Sequence, residues 1–359
     1  MTRSEKVLGI FGAAAFMAAA VFSVGAEEPP KGDAAPAGDA APPAGETTAP
    51  AEGGGGEAAE APAAPVKPRP AEIMPLTAKG LLLDVTKAGD AYVAVGDRGS
   101  IITSPNGKDW TQVPVPVRAA LTAVTFADDK HGWAVGHDAA IVATEDGGKT
   151  WKLQNFKPEL EKPLLDVLFL DASRGFAVGA YGLFVKTEDG GTTWSDVDAP
   201  VVRTDEVHLN SITRLSDGSL FIAGESGMLA VSADQGKTWT KVTSPYQSSL
   251  FGALPIGDKG ALIYGLRGNV YMTQDVKAKM VSWTKVETHS VASMFGGTVL
   301  PGGNLAMVGL NGVVLVTNAS GAVHSVQTPT GTPLSSAIPM DGGLLAVGES
   351  GVQTLASLQ

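Results

Sequence analysis

The sequence predicts an all-β fold, a seven-bladed β-propeller of four-stranded antiparallel blades, and three observations carry that reading. An apolar run ending in glycine recurs seven times, at Gly96, Gly136, Gly179, Gly224, Gly265, Gly309 and Gly348, spaced 39 to 45 residues apart. Each copy divides into four short segments of strand character, clearest at Leu121 to Phe126, Gly132 to Gly136, Ala140 to Thr144 and a stretch from Trp151. The second of these is apolar on both alternating faces, so it is covered on both sides. Units this short cannot bury their own faces, and seven four-stranded units close into a ring.

The second strand places a large residue three positions before the glycine in five copies (Val93, Trp133, Phe176, Phe221, Leu262), then Ala306 and Leu345, followed by Ala94, Ala134, Ala177, Ile222, Ile263, Met307 and Ala346. Large side chains of one sheet then meet small ones of the next and set the packing distance. The innermost strand repeats Leu-x-x-small. Its third position is Asp84, Ala123, Asp166, Ser211, Gly252, Gly296 and Ser336, residues suited to a hydrated axis. The seventh copy ends without a fourth segment. Ile73 to Thr77, just before the first innermost strand, is therefore expected to close the last blade as an N-terminal strand, since an open ring exposes edges.

Between third and fourth strands, three copies carry S/T-x-D-x-G-x-T-W: Asp146 with Trp151, Asp189 with Trp194, and Asp234 with Trp239. This Asp-box is a structural turn. The carboxylate collects turn donors, glycine supplies a positive φ, and the indole folds over the hairpin. Copies one and five keep Trp110 and Trp283, while His324 takes the tryptophan place in copy six.

Three regions follow. Residues 1–26 read as a signal peptide, or an uncleaved anchor, because Arg3 and Lys6 precede an uncharged stretch from Val7 to Val24 and Ala26 offers a cleavage point. Residues 27–72 are an Ala, Pro, Gly and Glu linker expected to be disordered, with a reach on the order of 40 Å. Residues 73–359 form the propeller. A periplasmic location follows, with inner-membrane tethering if the leader is kept. With no cysteine, disulfides, thiolate metal sites and cysteine nucleophiles are excluded. The net charge of −11 argues against nucleic acid and against direct binding to an anionic membrane.

The fuller repeat, V-G-D/E-x-G-x-I followed by the Asp-box, stands at Val95-Gly96-Asp97-Arg98-Gly99-Ser100-Ile101, with kindred runs at Ala223 to Gly227 and Val347 to Gly351. It resembles the photosystem II assembly and stability factor family of seven-bladed Asp-box (BNR-like) propellers. That resemblance implies a non-catalytic assembly factor or scaffold with a protein partner, in particular a membrane protein. Members in non-photosynthetic bacteria often occur near resistance-nodulation-division exporters, which makes an exporter complex a candidate partner. Photosynthetic members tend to carry a basic patch, whereas residues 73–359 hold 21 Lys+Arg against 27 Asp+Glu. A different envelope partner is favoured.

The partner-binding face is expected opposite the Asp-boxes, at the turns after the repeating glycines. Its candidate residues are Asp97, Arg98, His137, Asp138, Tyr181, Glu225, Arg267, Asn311 and Glu349. Six of those seven turns close with glycine, so a constant backbone presents variable side chains. No catalytic residue, metal site or cofactor is assigned. The alternative, a sialidase-like glycosidase or other hydrolase on the central face, needs an arginine cluster beside a carboxylate or tyrosine. Beyond the linker there are six arginines, at 98, 118, 174, 203, 214 and 267. Asp84 and Asp166 share the channel, and the five histidines show no ligand spacing.

Overall fold

The computed structural model describes residues 66–356 apart from 205. Residues 1–65, where the sequence predicts an export segment and most of a linker, lie outside the described residues. Seven antiparallel sheets follow one another along the chain, spanning 82–113, 121–155, 164–196, 209–241, 250–285, 294–327 and 334–356. The chain forms the all-β, seven-bladed propeller that the repeat predicts. Six blades have four strands in chain order; blade seven has three, Leu334–Met340, Gly343–Gly348 and Gly351–Ala356.

The repeat arithmetic works because every blade is half of two cores. Seven apolar clusters lie one at each interface between consecutive blades, including the interface of blade seven with blade one. Second strands such as Gly132–Gly136 are buried at every position. The residue three before each glycine faces the following blade and the next residue the preceding one, which in blades one, two, three and seven pairs a bulkier side chain with alanine on the same strand. Val93 thus shares a cluster with Ala134, Trp133 with Ala177, and Leu345 with Ala94. Trp133 also stacks on Phe169 of blade three, with ring centroids 3.4 Å apart. Between blades six and seven both members are alanine, Ala306 and Ala346.

Ring closure departs from expectation in one respect. The segment from Ile73 to Thr77 does not add a strand to blade seven; it leads into a 3-10 turn, Thr77–Lys79, lying against the blade's last strand. Its polar groups are already taken by blade one. Gln112 Oε1 accepts from the Met74 N–H (2.8 Å) and the Thr77 hydroxyl (2.6 Å), while Gln112 Nε2 donates to the Glu72 carbonyl (2.9 Å). Pro75 has no N–H to give a ladder. Closure rests instead on burial, with Leu82, Val85 and Ala94 packed against Leu345 and Val347.

Every innermost strand carries a β-bulge after its first residue, which pairs with the repeating glycine. The bulged residues are Leu83, Thr122, Leu165, Asn210, Phe251, Phe295 and Ser335. A bulge re-aims side chains near a barrel or ring mouth, and here it turns this row toward the axis beside the turn-bearing face.

Candidate functional site

The seven turns after the repeating glycines are built by one device. The N–H after each glycine donates to the carbonyl just before the innermost strand: Asp97 to Leu81, His137 to Ala120, Ala180 to Pro163 and Glu225 to His208. Leu266 to Ser249, Leu310 to Ser293 and Glu349 to Pro333 complete the set, all at 2.9–3.1 Å. A side chain on the glycine would run into that same carbonyl. Close approach, rather than φ, therefore demands glycine, since the backbone there is extended. The second turn residue is different. Arg98, Asp138, Tyr181, Ser226, Arg267 and Asn311 all sit in the left-handed region, φ 52–59°.

These turns share one end of the ring, and the sequence-predicted residues are all at its surface. Arg98, Tyr181, Arg267, Asn311, Asp97 and Glu349 are exposed, while His137, Asp138 and Glu225 are half-buried. The structure brings some of them together. Burial holds the His137 pKa down, opposed by the charges of Asp138 and of Asp97 on the neighbouring blade. Tyr181 donates its N–H to His208 Nδ1 (3.0 Å), and the rings meet edge to face at 4.7 Å. That bond leaves the His208 proton on Nε2, 3.8 Å from Glu225 Oε2. Arg267, Asn311 and Glu349 stand apart on later blades. Sequence reading left out His208 because it precedes an innermost strand rather than following a repeating glycine.

A groove of about 630 Å3 opens between blades one and two on the same face. Lys67, Arg69 and Arg118 line it with Asp138 and Phe156. Arg118 pairs with Glu72 at 2.8 Å, and the Ala71 N–H donates to Val115. Summed charge hid this local basic cluster, because two of its members lie upstream of the repeats.

On the opposite end the Asp-boxes are self-contained. Asp146 Oδ1 accepts from the Thr150 N–H (2.9 Å) and the Thr144 hydroxyl (2.8 Å), and Oδ2 from the Thr150 hydroxyl (2.7 Å). Asp189 and Asp234 repeat the pattern with Thr193 and Thr238. The Trp151 Nε1 closes on the Gly148 carbonyl (3.0 Å), whereas the Trp194 and Trp239 nitrogens have no partner. The Thr238 side chain and N–H hold the Asp234 carboxyl down near 2.

Along the axis runs a channel of about 400 Å3. Asp84, Ala123, Asp166, Ser211, Gly296 and Ser336 line it, as their shared register implies. At Gly252 the Tyr264 phenol occupies the space a side chain would fill. Asp84 accepts from its own blade at Val85 (2.8 Å) and from blade two at Val124 (2.8 Å), and it also bonds Ser336 of blade seven. Asp166 links blades three and four through Val167 and Ile212, both at 2.8 Å. Burial pushes Asp84 up to about 6, and burial together with the charge of Asp84 pushes Asp166 up to about 7. Of the six arginines beyond the linker, Arg214 alone lines this channel. Among the described residues no three His, Cys, Asp or Glu side chains gather as a metal site.

The family model for Photosynthesis system II assembly factor YCF48 matches residues 102–162 and 153–296, more than half of the chain. The chain belongs to this family. Its curated relatives in the photosystem II assembly factor family match locally. The chain is 34% identical over 83 residues to the photosystem II stability/assembly factor HCF136 of Cyanidioschyzon merolae, covering 21% of this chain and 19% of that protein. It is 31% identical over 61 residues to the photosystem II assembly protein Ycf48 of Thermosynechococcus vestitus, covering 17% and 18%. The matched segment thus spans less than a fifth of either relative. A solved structure of YCF48 bound to D1 peptide aligns with a TM-score of 0.63 at 14% identity, over 81% of this chain and 97% of that one. A streptogramin B lyase structure aligns with a TM-score of 0.66 at 12% identity, over 78% and 94%. At such identities the two structures speak for the propeller alone.

Proposed function

We propose that this protein is a non-catalytic assembly factor or scaffold that holds a protein partner on the turn-bearing face. One observation carries the reading. Six of seven turn centres keep a non-glycine residue in the left-handed region, where a Cβ costs on the order of 1 kcal/mol and glycine would be free of strain. The side chains kept there differ from blade to blade, as a recognition surface requires and a purely structural turn does not. Membership of a family of assembly factors supports the same reading, as does the D1 peptide held by a relative of the same fold. The partner is a membrane protein or transporter complex of the envelope. The protein works in the periplasm, because residues 1–26 read as an export segment.

The test is affinity capture from solubilised envelopes with the intact protein as bait. Arg98→Glu, Asp138→Lys and Arg267→Glu are expected to abolish recovery of one membrane complex while leaving Tm unchanged, and Asp234→Ala to leave recovery intact. Recovery that survives all three reversals, or that fails with the Asp-box variant, overturns the assignment of the face.

A further inference from the structure

The axial channel holds polar groups that the fold does not use. Ser211 is 7% exposed and its hydroxyl has no hydrogen-bond partner among the described residues. Tyr264 is 5% exposed, and its phenol fills the space beside Gly252. Both line the channel at the level of Asp84 and Asp166. Buried polar groups are ordinarily satisfied, and the Ser211 hydroxyl is an exception that calls for an explanation. No basic side chain acts on either carboxylate, and Arg214 lies at the far mouth, toward the Asp-boxes. Above this polar level the bulged row carries Leu83, Leu165, Phe251 and Phe295, with Thr122, Asn210 and Ser335 among them, facing the turn-bearing surface. The Phe251 and Phe295 rings meet edge to face at 5.5 Å.

We propose that the channel is a binding site for a small organic cation, a primary alkylammonium whose head group meets Asp84, Asp166, Ser211 and Tyr264. Its stem lies against Phe251 and Phe295 on one side of the bulged row. An ammonium has three donors and no acceptor, which suits two carboxylates and two hydroxyl oxygens. A hard divalent cation suits the site less well. It takes six to eight oxygens, and both oxygens of each carboxylate already receive a backbone N–H bond. The channel volume lies within the range of small-ligand pockets. The raised carboxyl pKa values agree with a site that lacks its counter-charge. The titrating and charged groups facing the head group are Asp84, Asp166 and Tyr264, with Arg214 at the mouth.

A free amine and a lysine side chain present the same head group, so calorimetric titration of the full chain uses both n-butylammonium and Nα-acetyl-lysine methylamide. Binding is expected at about pH 8 and weakened about tenfold or more at about pH 5, as the two acids take up protons. Binding of the first probe alone assigns the channel to free amines, and binding of both admits a lysine side chain. Neutral n-butanol is expected not to bind. Ser211→Ala and Tyr264→Phe remove hydroxyls to which no hydrogen bond is assigned among the described residues, so both variants are expected to keep the wild-type Tm. Each is expected to weaken n-butylammonium about tenfold. The proposal is overturned by absence of amine binding at about pH 8, by equal binding of butanol, by calcium binding in its place, or by unchanged affinity in both variants. Because the channel and the turn ring are probed by different variants, loss of one reading leaves the other standing.

Discussion

Replacing Asp84 by asparagine separates the two things its carboxylate does. The side chain joins three blades, accepting from Val85 and Val124 at 2.8 Å and bonding Ser336 across the closure of the ring. Asparagine has the same shape but only one accepting atom, so one backbone N–H is left unsatisfied, at a cost of about 1–3 kcal/mol. The substitution also removes a charge that burial disfavours. A folded-state pKa raised from 3.8 to about 6 means that the native state binds the proton more tightly than the unfolded chain. Stability from this group is therefore full below about pH 4 and falls as pH rises through about 6, by about 3 kcal/mol. The variant lacks that loss. Urea unfolding followed by tryptophan fluorescence should find Asp84→Asn weaker than wild type by about 1–3 kcal/mol at about pH 4, and level with it or up to about 2 kcal/mol stronger at about pH 8. A difference that is the same at both pH values refutes the desolvated carboxylate, and no difference at either refutes the three-blade bond.

Further outcomes follow from other positions. Asp234→Ala removes acceptors for Thr238 and Ser232 at an exposed turn and should cost about 1 kcal/mol near neutral pH. Because its folded pKa is depressed to near 2, that stabilisation is present above about pH 4 and lost as pH falls through about 2, opposite in sign to Asp84. Gly136→Ala drives a methyl into the Ala120 carbonyl and should lower Tm markedly, by the equivalent of about 1–3 kcal/mol or more. Gly80→Ala meets only an ordinary contact and should leave Tm unchanged. Trp133→Ala empties the Phe169 stack and breaks the bond to the Gly190 carbonyl, an expected loss of about 3–5 kcal/mol in urea unfolding.

The sequence alone determined the architecture. A glycine recurring every 39–45 residues after a doubly apolar strand is a local pattern, and stacking is the one way such strands are covered, so blade number and the blade-to-blade packing of the second strands could be read in advance. The Asp-box turns were legible for the same reason, since donor and acceptor lie within a few residues. Only the tertiary structure decided the rest. Ile73 to Thr77 spends its polar groups on Gln112, about forty residues away, and so gives no strand to blade seven. His208 meets Tyr181, and Asp84 meets Val124 and Ser336, each across a blade boundary, while Lys67, Arg69 and Arg118 line one groove. Periodicity fixes which residues share a level of the ring. Which side chains then reach across it depends on bulges and left-handed turns, whose geometry follows from close backbone contact and leaves no spacing to read.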